Sequence, residues 1–133
     1  MLLMRAREAV MVEFRAMLRD QGLSEQQWRV LRALDAMGTS EVTKLAEATF
    51  LLGPSLSRIL PELERRGLIR IQVDDADQRR KLVQLAQAGS DLIEVIAPLS
   101  EAIYARIEAR LGADRLAQLQ GLLTDIEDGI GKP

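Results

Sequence analysis

The sequence contains neither cysteine nor histidine. Without cysteine, the chain cannot form disulfides, use a thiol nucleophile or sense redox state through a thiol. Without histidine, it lacks the commonest general base and the commonest metal ligand. Aromatic residues make up only 3% of the chain, so we expect a core built from Leu, Ile, Val, Ala and Met.

Long hydrophobic runs are missing as well. No apolar stretch approaches the length that spans a bilayer, and charged residues interrupt the apolar N-terminus before it could serve as a signal peptide. We therefore expect no membrane partner and a cytoplasmic location. A length of 133 residues corresponds to one domain.

The charge balance does not favour nucleic acid at first sight, because the net charge is −2 and the isoelectric point is about 5.3. However, residues 53–81 hold seven basic and five acidic residues, which is a local excess of positive charge. Three of the acids, Asp74, Asp75 and Asp77, cluster in what should be an exposed turn, where little raises a carboxyl pKa. We therefore expect no enzyme, cofactor or metal site.

Residues 49–85 are the stretch around which the chain is organised. Gly53 and Pro54 suit the start of a helix, and Gly67 suits its end. Between them, apolar residues recur at the spacing of one helical face, namely Leu56, Leu60 and Leu63. Two alternating runs follow, over residues 69–73 and 81–85, with a charged turn between them. The pattern predicts a helix followed by a two-stranded hairpin.

Other helices flank this stretch. The spacing predicts an amphipathic helix over residues 2–20, a second helix capped by Ser24 and Gln27, and a third from Glu41 to about Thr49, capped by Thr39 or Ser40. A long helix to about residue 111 and a last helix carrying Leu116, Leu119, Leu123, Ile126 and Ile130 follow, with Gly129 and Gly131 fraying its end. The predicted fold is mainly α with a small β-hairpin wing (α+β), a winged helix-turn-helix with N- and C-terminal dimerisation helices.

Two interpretations of the central helix and hairpin remain open. A helix with Ser and Arg on its polar face, followed by a hairpin tipped with Arg79 and Arg80, suits the major groove of DNA and the neighbouring backbone. The same residues also fit an ordinary solvated helix and a surface hairpin. A helical dimerisation or adaptor module without DNA binding is thus the alternative function.

Several motifs resemble the MarR family of winged helix-turn-helix regulators over nearly the whole chain. They are Glu25-Gln26-Gln27-Trp28, Leu45-Ala46, Ser57-Arg58, Leu63-Glu64-x-x-Gly67-Leu68-Ile69 and Asp77-x-Arg79. A closer resemblance is to the repressors of homoprotocatechuate degradation. It rests on Ala6-Arg7-Glu8-Ala9-x-Met11-x-x-Phe14-Arg15, on Gln26-Gln27-Trp28-Arg29-Val30 and on Pro54-Ser55-Leu56-Ser57-x-Ile59-Leu60.

The resemblance implies a homodimer that binds a pseudopalindromic operator in double-stranded DNA. It implies one domain over residues 1–133, in which residues 24–86 form the winged helix-turn-helix lobe and residues 1–22 and 87–131 form dimerisation helices. It also implies that Ser55, Ser57 and Arg58 contact the major groove, and that Asp77 holds Arg79 in place at the wing. The full set of DNA-binding residues is Lys44, Pro54, Ser55, Ser57, Arg58, Asp77, Gln78, Arg79 and Arg80.

The resemblance further implies repression that a small aromatic acid relieves. Such a ligand needs a flat apolar slot for its ring and an arginine for its carboxylate. Met11, Phe14 and Trp28 are the candidate walls, and Arg15 and Arg29 are the candidate cations. Taken singly, each of these side chains is better explained as plain core, for Phe14 and Trp28, or as a solvated charge, for the two arginines.

Overall fold

The computed structural model describes residues 1–130 and contains six helices and three strands within that range. In chain order these are α1 Leu2–Asp20, α2 Glu25–Met37, β1 Ser40–Glu41, α3 Val42–Thr49, α4 Gly53–Arg65, β2 Ile69–Val73, β3 Lys81–Leu85, α5 Gln87–Leu111 and α6 Ala113–Ile130. The prediction of a mainly helical protein with a small wing is confirmed. The prediction that Gly129 frays the last helix is wrong, because α6 continues through it to Ile130; Gly131, the other glycine expected to fray this helix, lies outside the described residues.

The start of α2 is the capping box that the sequence predicts. The Ser24 hydroxyl accepts a hydrogen bond from the Gln27 amide at 3.1 Å, and the Gln27 side chain accepts one from the Ser24 amide at 3.0 Å. Trp28, Leu31 and Leu34 then face the core. The capping box fixes where α2 begins, and the spacing of its apolar residues decides which face is buried.

The prediction for the start of the third helix is wrong. Neither Thr39 nor Ser40 caps it: the Ser40 hydroxyl donates to the Gly38 carbonyl at 2.9 Å, and α3 begins only at Val42. Ser40 and Glu41 instead form strand β1. Since β1 pairs with the distant strand β3, nothing in the local sequence marks it as a strand.

The wing is therefore a three-stranded antiparallel sheet in the order β1-β3-β2, not a two-stranded hairpin. Ser40 pairs with Val83 on one side of β3, and Ile71 pairs with Val83 on the other. Val83 and Ile69 are buried in the same core as the stripes of α2 and α4. The sheet is thus anchored to the helices through its apolar face.

The core of the helix-turn-helix comes mostly from aliphatic residues on α2, α3, α4 and the sheet, together with Trp28 of α2. The stripe of α4 is wider than predicted, because Ile59 is buried along with Leu56, Leu60 and Leu63. Helix α4 runs unbroken through Pro61, and α5 runs unbroken through Pro98. Because this apolar face of α4 is buried, the side chains on the opposite face of the helix are the ones exposed to solvent.

The chain divides into two compact units, the first from Met1 to Pro98 and the second from Leu99 onward. The first unit contains α1, which packs against α2, together with the whole helix-turn-helix and wing. In the second unit α6 has no buried residue, and large apolar side chains are exposed along it. No helix among the described residues is long and apolar enough to cross a membrane.

Candidate nucleic-acid interface

The outer face of α4 is short-chained and polar near its N-terminus. Pro54, Ser57 and Arg58 are exposed and Ser55 is half-buried, while the apolar stripe of the same helix is buried. Within residues 1–130, the Arg58 guanidinium has no hydrogen bond or ion pair. It is therefore available to a ligand on the surface that α4 presents.

Arg65 lies further along the same helix and is already paired. Its Nη2 lies 2.5 Å and its Nε 3.0 Å from the two carboxylate oxygens of Glu62. These hydrogen bonds hold the pKa of Glu62 below its usual range and raise the pKa of Arg65. Of the two arginines, only Arg58 offers an uncompensated charge.

Aspartate side chains close the turn at the wing tip. One Asp74 oxygen accepts from the Ala76 amide at 2.9 Å, and one Asp77 oxygen accepts from the Arg79 amide at 3.0 Å. Asp77 therefore holds Arg79 through its backbone, leaving the Arg79 guanidinium exposed and without a partner in the described part of the chain. Asp74 and Asp77 therefore stabilise the turn itself.

The second wing arginine is placed differently from Arg79. The Arg80 guanidinium hydrogen-bonds to Glu41 of β1 and lies 3.5 Å from an Asp74 oxygen. Its charge is thus compensated by two carboxylates. Gln78 at the tip is exposed, and Lys44 on α3 is exposed with its Nζ 4.0 Å from Glu47.

A separate charged cluster joins α1 to α2. Arg15 makes two hydrogen bonds to Glu8, at 2.6 and 2.8 Å, and its Nε donates to Glu25 at 3.1 Å. Arg29 also donates to Glu25, at 3.1 Å, and Arg7 forms an ion pair with the same carboxylate. The hydrogen bonds from Arg15 lower the pKa of Glu8, and Glu8 in turn raises the pKa of Arg15.

The structure brings only some of the candidate effector residues together. Arg15 and Arg29 share the Glu25 carboxylate, whereas Phe14 and Trp28 are 4% and 9% exposed and Met11 is half-buried. A cavity of about 360 Å³ opens where α1 meets α2, and of the five candidates only Arg15 lines it.

Sequence reasoning missed two residues of this region. Glu25 collects three arginines, and only its i,i+4 spacing from Arg29 was visible in the sequence. Arg32 lies over the Trp28 ring, 5.9 Å from its centroid, a distance typical of a cation–π interaction. In the described residues no carboxylate pairs with Arg32.

The short helix, turn, exposed helix and basic-tipped sheet together define a winged helix-turn-helix protein. A family model for the MarR family matches residues 21–80. The chain is 37% identical to the HTH-type transcriptional regulator FarR of Neisseria gonorrhoeae, over 96% of this chain and 90% of FarR. The chain belongs to the MarR family, whose members are transcriptional regulators and not enzymes.

Two further similarities bear on function. The homoprotocatechuate degradative operon repressor of Escherichia coli is 36% identical over 92% of this chain and 83% of its own length. The crystal structure of NadR in complex with 4-hydroxyphenylacetate superposes with a TM-score of 0.79 at 37% identity, over 93% of this chain and 88% of that one. Both the repressor and NadR are named for, or crystallised with, a small aromatic acid.

Proposed function

We propose that this protein is a homodimeric repressor in the cytoplasm that binds a pseudopalindromic DNA operator and releases it when a small aromatic acid binds. The observation that carries the DNA-binding part is the uncompensated charge of Arg58 on the outer face of α4. A helix with a buried apolar stripe and an exposed Ser and Arg face near its N-terminus suits the major groove.

In this proposal α4 reads base edges and the wing contacts the backbone. Ser55, Ser57 and Arg58 enter the major groove, with Pro54 and Lys44 at its rim. Asp77, Gln78, Arg79 and Arg80 form the wing contact, in which Asp77 shapes the turn and Arg79 supplies the charge. Arg80 contributes less than its position suggests, because Glu41 and Asp74 already compensate it.

The test compares two arginines of the same helix on an operator selected by the wild-type protein from random duplexes. Arg58→Ala should weaken operator binding by about 1–3 kcal/mol and relax base preference if Arg58 reads a base edge. Arg65→Ala is the matched control, because Arg65 is paired with Glu62. Equal operator affinity of wild type and Arg58→Ala would remove the assignment of α4 as recognition helix.

The proposed dimer rests on exposed apolar surface. Leu119, Leu122, Leu123 and Ile126 are between 42% and 62% exposed on α6, and Leu2 and Leu3 are exposed on α1. On α6 these four residues recur at i, i+3, i+4 and i+7, and an exposed apolar helix face of this kind is typical of an interface. In a two-fold dimer it would be buried against a second copy, which also matches the symmetry of a pseudopalindromic operator.

The proposed effector is a hydroxyphenylacetate-type acid, supported by the two aromatic-acid relatives. The proposed site comprises Met11, Phe14, Arg15, Trp28 and Arg29. Since Glu8 and Glu25 occupy Arg15 and Arg29, an incoming carboxylate would have to compete with them. Arg32, which has no such competitor and already lies over Trp28, is a second candidate for the carboxylate.

Calorimetry with 4-hydroxyphenylacetate, 3-hydroxyphenylacetate and homoprotocatechuate tests this part, paired with operator binding at saturating ligand. A tenfold loss of operator affinity corresponds to a coupling of about 1.4 kcal/mol, within the ordinary range of allostery. Calorimetry on Arg15→Gln, Arg29→Gln and Arg32→Gln then identifies which arginine holds the carboxylate. If none of the three acids binds or changes operator affinity, the effector class is wrong while the regulator remains.

An adaptor module without DNA binding is the second candidate. The net charge of −2 and the pairing of Arg65 and Arg80 with carboxylates favour it. Failure to enrich any sequence from the random duplexes, in a protein shown to be folded and dimeric, would support this alternative.

A further inference from the structure

Thr49, the last residue of α3, is hydrogen-bonded through both its side chain and its backbone carbonyl. Thr49 is fully buried, and its hydroxyl donates to the Leu45 carbonyl at 2.7 Å. The Thr49 carbonyl accepts a hydrogen bond from Arg29 Nη1 at 2.9 Å. Carbonyls in the last turn of a helix have no partner within the helix, so Arg29 takes the place that water or a following residue would fill.

The turn that begins at Thr49 controls how the chain enters α4. Phe50 has a left-handed backbone conformation with φ of 56°, which is uncommon for a bulky residue. Only three residues, numbers 50–52, separate α3 from α4. A small change in the direction of the Thr49 carbonyl therefore changes the direction from which the recognition helix starts.

Arg29 is itself held in place from its other side. Its Nη2 donates to Glu25 at 3.1 Å, one turn earlier on α2, and the Glu25 side chain is only 17% exposed. Arg15 and Arg7 of α1 bind the same carboxylate. Because the guanidinium is planar and its donors are fixed relative to one another, orienting one edge toward Glu25 also orients the other edge toward Thr49.

We infer that Arg29 is a positioning residue for operator recognition, with Glu25 orienting it, and that the pair sets the turn before α4. The inference rests on the proposed DNA-binding function. Nη1 and Nη2 of Arg29 both donate to oxygens of the protein itself. Arg29 can therefore position α4 without contacting DNA. Base recognition needs α4 in one orientation, whereas attraction to the DNA phosphates does not. Replacing Arg29 should therefore weaken base recognition more than it weakens phosphate binding.

The test measures the affinity of the wild-type protein, Arg29→Gln and Glu25→Gln for two duplexes. One is an operator selected from random DNA by the wild type, and the other is a scrambled duplex of the same composition. We expect Arg29→Gln to lose about tenfold in operator affinity, comparable to one lost base contact, and less than about twofold on the scrambled duplex. The dependence of operator affinity on salt should keep its slope, since no phosphate contact is removed.

Matched variants separate positioning from other roles. Asp35→Asn removes an exposed carboxylate from the same helix that has no partner in residues 1–130, and it should behave as wild type. Arg29→Lys keeps the charge but not the planar fork, so we expect operator affinity between those of wild type and Arg29→Gln. If Arg29→Gln does not fold, the Arg29→Lys and Glu25→Gln variants decide the question. The two quantities compared with wild type remain the affinity for the selected operator and the affinity for the scrambled duplex.

Three results would overturn the inference. The first is an unchanged operator affinity in Arg29→Gln while the wild type binds its operator normally. The second is an equal loss on both duplexes with a flatter salt slope, which would make Arg29 a phosphate contact. The third is a wild-type protein that selects no operator, which would remove the proposed function itself and is distinguishable because it is seen before any variant is made.

Discussion

Replacing Arg79 by alanine should change the salt dependence of operator binding more than replacing Arg80. Both arginines lie at the wing, but only the Arg79 guanidinium lacks a partner within residues 1–130. Arg80 is compensated by Glu41 and by Asp74 at 3.5 Å, so it would have to leave two carboxylates to reach a phosphate. Although the two arginines are adjacent, we therefore expect Arg79→Ala and Arg80→Ala to change the salt dependence by different amounts.

The size of the effect follows from counterion release. Each phosphate neutralised contributes about 0.9 to the slope of log affinity against log salt, so losing Arg79 from both wings of a dimer should flatten it by about 1.8. When the salt concentration rises from about 50 to 200 mM, the wild type should therefore lose roughly twelvefold more operator affinity than Arg79→Ala loses. Arg80→Ala should flatten the slope by clearly less.

Fluorescence anisotropy over a salt series, with a duplex selected by the wild type, measures both slopes under one set of conditions. Gln78→Ala is the neutral control at the same tip and should leave the slope unchanged. An unchanged slope in Arg79→Ala, or a slope flattened equally by Arg80→Ala, would refute the assignment of the wing charge to Arg79.

Three further outcomes are expected. Leu123→Glu places a charge on the exposed apolar face of α6 and should convert the dimer to a monomer by light scattering; a wild type that is monomeric at micromolar concentration would contradict the dimer itself. Gly89→Ala should lower the free energy of unfolding by about 1–3 kcal/mol in chemical denaturation, because overpacking is destabilising. The added Cβ would lie 2.3 Å from the Leu68 carbonyl oxygen, and a variant as stable as wild type would show that α5 yields there. Hydrogen bonds from Arg15 lower the pKa of Glu8, so their small stabilisation is present above the unfolded pKa and is lost as the pH falls through the folded pKa. The difference in melting temperature between wild type and Glu8→Gln should thus shrink below about pH 4, and a difference independent of pH would contradict this.

The local parts of the fold were readable from the sequence. The Ser24–Gln27 capping box, the apolar stripe of α4 and the alternation of β2 and β3 involve residues a few positions apart. The periodicities of helices and strands can be recognised over such short segments, and these predictions agree with the structure. The polar face of α4 was predictable for the same reason, since it is what the buried stripe leaves outside.

The sequence by itself thus determined the helices, the wing hairpin and the side of α4 that stays exposed. Only the tertiary structure decided that Ser40 and Glu41 form a strand, because their partners on β3 lie more than 40 residues away. It also decided which arginines are free. Arg79 and Arg80 are adjacent in the chain, yet Glu41 reaches only Arg80, and Glu25 collects arginines from two helices. Charge compensation acts through space over a few ångströms, so a sequence shows the charges but not which of them are already neutralised.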